Sequence, residues 1–258
     1  RVPPALEAGG KMDVRSMRAL TRYYIDAGVG GIAVGVHTTQ FEIRDKAVGL
    51  LEPVLRLAAE TADAWGARRG RSVFKVAGVC GRTRQALAEA RLAESLGYHA
   101  CLLSLAAFRR DDPDTLIAHC RAVSAALPLI GFYLQPAVGG RTLPFAFWRR
   151  FADLDNVLAV KIAPFNRYQT LDVVRAVCEA AREREIALYT GNDDSIVADL
   201  VTPFLLGGPG PGVSIAGGLL GHWCVWTRRA VELLERIQAL RAQEAPIPAD
   251  LLALGAQI

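Results

Sequence analysis

Val157-Leu-Ala-Val-Lys-Ile-Ala-Pro-Phe165 reads as a strand that is apolar at almost every position and carries one lysine inside it. Successive strand residues point to opposite faces, so a run apolar on both faces is buried on both. Such runs mark a parallel sheet covered by helices. Lys161 is the anomaly, because an ammonium placed there gives up its hydration. The chain has only four lysines (Lys11, Lys46, Lys75 and Lys161) among thirty basic residues, so arginine is its ordinary cation. Where an amine must be able to lose its proton, arginine cannot serve.

On either side of this strand, apolar runs alternate with segments of helical periodicity. Strands are expected at 31–37, 72–80, 99–105, 128–134, 186–190 and 213–216. Helices are expected from residue 12 or 13 to 27, after Gln40 with an interruption at Pro53, and at 83–96, 112–126, 144–152, 167–184 and 223–243. A further helix is expected to end near Leu206, capped by Asn192, Asp193 or Asp194. Strict alternation implies parallel strands joined by right-handed crossovers. An open doubly wound sheet and a closed barrel both satisfy that pattern. No Gly-rich dinucleotide fingerprint follows an early strand, however, and polar residues recur at strand C-terminal ends: His37-Thr38-Thr39, Cys80, Ser104, Tyr133, Lys161, Asn192-Asp193 and Ser214. In a barrel those ends converge on one mouth, where active sites are built. The expected fold is therefore α/β, a (β/α)8 TIM barrel over residues 1–243. Its first strand is poorly represented by residues 1–6, and residues 244–258 begin a C-terminal helical extension that is cut short.

At 258 residues the chain can bury a full core. It is 52% hydrophobic but has no uninterrupted apolar run long enough for a membrane span, and no signal peptide is visible. A start at Arg1 instead of methionine is read as upstream residues removed or not represented. Five cysteines, odd in number and without a CxxC pair, fit reduced thiols in a cytoplasm. The net charge of +4 is mild and the arginine pairs are scattered, so no nucleic-acid partner is expected.

A lysine pointing into a barrel has the chemistry of a nucleophile. Burial disfavours its charged form, and a neutral amine attacks a ketone or aldehyde to form a Schiff base. The plainer alternative is a lysine that snorkels to the rim or pairs with a carboxylate. Tyr133 ends the preceding strand and is expected beside Lys161, as a proton shuttle or as a rim tyrosine bonded to backbone. Thr38 and Thr39 are candidates to hold a carboxylate, or are helix caps. His37 is a candidate general base or a hydrogen-bonded core histidine. His99, His119 and His222 have no ligand spacing, and no metal site is expected. Lys75 is the rival lysine.

With these residues in view, the chain resembles the dihydrodipicolinate synthase and N-acetylneuraminate lyase superfamily of class I aldolases. The resemblance is carried by Gly28-Val-Gly-Gly-Ile-Ala-Val, Val76-Ala-Gly-Val-Cys-Gly, Phe132-Tyr-Leu-Gln-Pro, Asn156-Val-Leu-Ala-Val-Lys and Thr190-Gly-Asn-Asp, in the family's order and spacing. It implies a barrel, a homo-oligomer (tetramer or dimer), a pyruvate or other 2-oxo acid substrate and no cofactor. It also implies that Lys161 is the Schiff-base lysine and Tyr133 the catalytic tyrosine. Departures limit it. The family's Gly-Thr-Thr-Gly-Glu turn matches Val36-His-Thr-Thr-Gln40, so His37 replaces the first threonine and Thr38 keeps the second. Ser104-Leu-Ala-Ala-Phe108 stands where Pro-Tyr-Tyr is common, so the tyrosine lent by a neighbouring subunit is missing. Val138 stands where an arginine is usual, with Arg141 three residues on. The expected function is a Schiff-base lyase of aldolase or dehydratase type that is not a true dihydrodipicolinate synthase, with Arg141, Asp193 and Ser214 as further substrate contacts. A metal-dependent aldolase, and a barrel retained only for binding or regulation, are the alternatives.

Overall fold

A computed structural model describes residue 6 and residues 11–36, 41–206 and 212–258, with the side chain of His222 left out of the account. Seven strands pair in sequence order, all parallel: β1 (Gly31–Val34), β2 (Phe74–Val79), β3 (Ala100–Leu103), β4 (Leu129–Leu134), β5 (Val157–Ala163), β6 (Ala187–Thr190) and β7 (Gly217–Gly218). Between and after them lie α1 (Val14–Ala27), α2 (Leu51–Arg68), α3 (Thr83–Ser95), α4 (Pro113–Ser124), α5 (Phe145–Ala152), α6 (Arg167–Glu179), α7 (Ile196–Val201), α8 (Thr227–Ala242) and α9 (Ala249–Gly255).

The sheet is curled, and strand alternation divides its apolar residues into two cores. Val160 and Ile162 of β5 join the large core between strands and helices, whereas Ala159 and Ala163 join a smaller one with Ala33, Val76, Leu102 and Phe132 on the other face. This is the division a barrel makes between its wall and its interior. Closure into eight strands is not seen among the described residues. Leu6 makes only an isolated antiparallel bridge to Met12, and no ladder joins β7 to β1. The architecture is therefore a barrel-like α/β fold with seven strands among the described residues.

The helix starts follow side-chain chemistry. Asp13 caps α1 by accepting from Ser16 N at 2.9 Å, and Asp112 caps α4 by accepting from Thr115 N at 2.8 Å. Gly28, at φ 101°, supplies the left-handed residue that stops α1. Gly131 lets α5 lie close on β4, because a Cβ there would come within 2.8 Å of the Phe151 ring.

Three expectations need correction. The last strand is not 213–216. Val213 exchanges two backbone hydrogen bonds with Phe204 (2.8 and 2.9 Å) in an antiparallel bridge, and pairing with β6 begins only at Gly217. The cap of α7 is Ser195, without a side-chain bond, because Asn192 is committed elsewhere. Finally, α6 stops at Glu179, where the chain reverses so that the Arg182 guanidinium can donate to Ala152 O and Leu154 O at 2.7 and 2.6 Å. Past residue 243, α9 seats a fully buried Leu251 and packs against α7, with Gly255 against Val197.

Candidate active site

Lys161 sits in the middle of β5 with none of its surface exposed. Its register partners are Phe132 of β4 and Tyr189 of β6. The ammonium nitrogen lies 4.3 Å from the centroid of the Phe132 ring, so an aromatic face replaces part of its lost hydration. On the β6 side, Gly191 is required. A Cβ there would stand 2.8 Å from Lys161 Cε, and the absence of one lets Gly191 N donate to Ile162 O at 2.6 Å.

Tyr133 is not beside Lys161. Its hydroxyl accepts from Leu143 N and donates to Leu143 O, both at 3.1 Å, and its ring packs 5.1 Å from Trp148 in the outer core. Burial pushes its phenol above the ordinary value. The cause of the displacement is a slip in register. Leu129 pairs with Val157, and an uninterrupted count from there would bring Tyr133 opposite Lys161. Instead Ile130 pairs with Ala159, Leu158 is skipped, and Phe132 meets Lys161 while Tyr133 meets Ile162. A one-residue slip exchanges the faces of every later side chain. The phenol on Lys161's face belongs to Tyr189, half-buried and packed against the inner core. Sequence reading missed it, although its place two residues before Gly191 puts it on the inward parity of β6.

The other expected contacts are dispersed. His37, Thr38 and Thr39 lie outside the described residues. Arg141 Nη1 donates to Phe108 O (2.5 Å) and Asp111 O (2.8 Å), so its guanidinium fastens two loops together. Asp193 is exposed on the loop after β6. Ser214 precedes β7, at the approach to that strand and not at its C-terminal end. Ser104 does lie at the mouth. It is 8% exposed and shares with Phe132 the walls of two small cavities, each about 10 Å³, the second of which Arg141 also lines. Each is about the size that holds one water.

Two buried polar networks frame this mouth, and neither was anticipated. Asp199, 1% exposed, accepts from Thr190 Oγ1 at 2.6 Å, from Asn192 Nδ2 at 3.0 Å and from Arg167 Nη1 at 2.6 Å. Asn192 Oδ1 in turn accepts from Phe165 N at 3.0 Å, so the loops after β5 and β6 are tied together around Gly191. On the opposite side, Arg44 and Glu89 form an ion pair at 3.1 Å, each side chain 7% exposed. Glu89 also accepts from Cys80 N at 3.1 Å. Burial, against the opposing pull of Arg44, pushes the Cys80 thiol up to about 11, so it is not a ready nucleophile.

Lys75 is no rival. It is on the outer face, where both Asp63 oxygens accept from its Nζ at 2.6 Å. Among the described residues no three His, Cys, Asp or Glu side chains gather as a metal site requires. His119 is structural: 2% exposed, with Nδ1 2.9 Å from Thr83 Oγ1 and its ring against Phe108. Burial, aided by Arg82, lowers its pKa from 6.5 to about 4. The unfolded chain therefore takes up a proton that the fold refuses between those values, so stability is retained above pH 6.5 and falls as pH drops through the window. The expected loss is up to about 3 kcal/mol. Urea unfolding at pH 7 and pH 4 should show it, and His119→Gln should flatten the difference; an unchanged slope in the variant would contradict the assignment.

The model of the family described as "Dihydrodipicolinate synthetase family" matches residues 3–225. The 4-hydroxy-tetrahydrodipicolinate synthase of Moorella thermoacetica is 28% identical over 198 residues, 75% of this chain and 62% of that protein. Its counterpart in Desulforudis audaxviator is 28% identical over 213 residues, 82% of this chain and 66% of that protein. The chain thus spans a little under two thirds of the length of these relatives. Among solved structures, YagE, a prophage protein of E. coli K12 belonging to the dihydrodipicolinic acid synthase family and solved in complex with pyruvate, superposes with a TM-score of 0.77. It is 20% identical, over 95% of this chain and 76% of that one. A putative dihydrodipicolinate synthetase from Pseudomonas aeruginosa gives a TM-score of 0.75 at 19% identity, over 95% and 77%. The likeness to these structures is one of fold. No helix among the described residues is long and apolar enough to cross a membrane.

Proposed function

Because the chain belongs to the dihydrodipicolinate synthetase family, we propose that it is a Schiff-base lyase, of aldolase or dehydratase type, acting on pyruvate or another 2-oxo acid. The observation that carries this reading is a fully buried lysine on the inner face of the sheet, with an aromatic ring at its ammonium. Nζ adds to the ketone carbon, and the carbinolamine loses water to give an iminium. Loss of a proton from the adjacent carbon gives an enamine, which joins a second carbonyl carbon or, in the reverse direction, is released from one. Of the two tyrosines near β5, Tyr189 shares the face of Lys161, and the reading gives it the proton-handling role. Thr38 and Thr39 are assigned the substrate carboxylate, and His37 the part of a general base.

Condensation with aspartate semialdehyde is not part of the proposal. Val138 stands where the family's arginine is usual, and Arg141 is occupied with backbone carbonyls. A cytoplasmic setting is included because all five cysteines are free. Assembly as a dimer or tetramer is included as well, with exposed Tyr168, Val225 and Trp226 as apolar surface for it.

Borohydride reduction in the presence of pyruvate is expected to fix an adduct on the peptide containing Lys161. Labelling at Lys75 alone, or none with any 2-oxo acid, would defeat the reading. Binding of 2-oxo acids without an adduct would favour a barrel that only binds.

A further inference from the structure

Gly191 governs how far the end of the Lys161 side chain can move. A Cβ there would stand 2.8 Å from Lys161 Cε and equally close to Ala163 Cβ, so the backbone itself is the wall on that side. The Phe132 ring is the wall on another. Nζ is one bond beyond Cε, and a shift of this backbone is passed through close packing to the amine.

The residues on both sides of Gly191 are held by one carboxylate. Thr190 Oγ1 donates to Asp199 Oδ2 at 2.6 Å and accepts from Asn192 N at 3.2 Å. Asn192 Nδ2 donates to the same Asp199 oxygen at 3.0 Å and lies 3.3 Å from Thr170 Oγ1 of α6. All four side chains are buried. The other end of the Asn192 amide, Oδ1, accepts from Phe165 N. Phe165 follows β5 by two residues and stands at φ 55°, in the left-handed region that a residue with a Cβ rarely adopts.

Two of these features work against stability. A buried carboxylate needs full partnering, and a non-glycine residue in the left-handed region is strained. A loop that had only to be closed requires neither. Strain of this kind persists where the surroundings over-determine it, and it collects at functional sites. Here it adjoins the strand that carries the amine, and Asn192 is the side chain that joins the carboxylate to the strained residue.

We propose that Asn192 is a positioning residue. It fixes Gly191 against Lys161 and Phe165 just past the end of β5, and so holds the amine at the distance and angle from which it adds to a ketone, without touching the substrate. The inference rests on the Schiff-base reading and adds to it a cause for the amine's placement among β6, α6 and α7, outside the inner core.

Mixing the full chain with pyruvate and quenching with borohydride at timed intervals gives a limiting rate of adduct formation on Lys161 and a half-saturating concentration. Asn192→Ala should lower the limiting rate per folded molecule by about 10²-fold, the scale of a misplacement near 1 Å. The half-saturating concentration should move by roughly threefold or less. A structural role alone would lower the folded fraction and leave the rate per folded molecule unchanged. Phe165→Gly and Phe165→Val, at an exposed position, keep the test open if Asn192→Ala does not fold. Both remove the ring, but only valine resists φ 55°, so valine should be slower than glycine by about fivefold or more. An undiminished limiting rate in Asn192→Ala, a loss carried wholly by the half-saturating concentration, or equal rates in the two Phe165 variants would overturn the positioning role. Those results leave an adduct on Lys161 in the unaltered protein and spare the Schiff-base reading. No adduct in the unaltered protein with any 2-oxo acid removes that reading, and the positioning role with it.

Discussion

Lys161→Met is expected to abolish the borohydride-trapped pyruvate adduct and to lower turnover by about 10³-fold or more, since no other group in the proposed mechanism forms the covalent bond. Arginine at this position should fail equally, because a guanidinium stays protonated. The methionine variant carries a second expectation that separates chemistry from structure. Lys161 is wholly buried on the inner face of the sheet, with the Phe132 ring centroid 4.3 Å from its nitrogen. A thioether of similar length fills the same space with nothing to desolvate, so the variant should still fold. Mass mapping of the reduced adduct and urea unfolding measure the two effects. An adduct that persists in the variant would move the chemistry away from Lys161. A marked loss of stability would make the lysine a structural residue.

What the sequence made legible was whatever local pattern determines. The limits of β5 coincide with the apolar run from Val157 to Ala163, and the alternation of runs and helices yielded seven parallel strands in order. Single-residue parity is where reading from sequence failed. Skipping Leu158 leaves no mark in composition, yet it turns Lys161 to the inner face, opposite Phe132 and away from Tyr133. Lys75 and Lys161 look alike in sequence, and only the face each occupies distinguishes an ion pair with Asp63 from a buried amine. The Arg44–Glu89 pair joins residues 45 apart, and the Asp199 network gathers side chains from α6, β6, the loop after β6 and α7; tertiary folding brings these together, and no local spacing announces it. Asn192 read as a cap because its type favours caps, but Phe165 N–H takes the side-chain oxygen that a cap would offer to the helix start.

The same slip in register makes opposite expectations for two tyrosines. Tyr189→Phe should lower turnover by roughly 10²–10⁴-fold, the usual contribution of a positioned acid–base group, while leaving the fold intact. Its ring stays in the inner core and only a hydroxyl on the Lys161 face is lost. Tyr133→Phe should do the reverse. Its hydroxyl satisfies both Leu143 N and Leu143 O in a buried setting, so removing it strands two backbone groups and should cost about 1–3 kcal/mol of stability. Turnover per folded molecule should change little, because the side chain is on the far side of the sheet from the amine. Rates normalised to the folded fraction, set beside unfolding curves, decide between them. If Tyr133→Phe removes turnover at full stability and Tyr189→Phe leaves it untouched, then the uninterrupted register, with Tyr133 facing Lys161, is the one in which the reaction takes place.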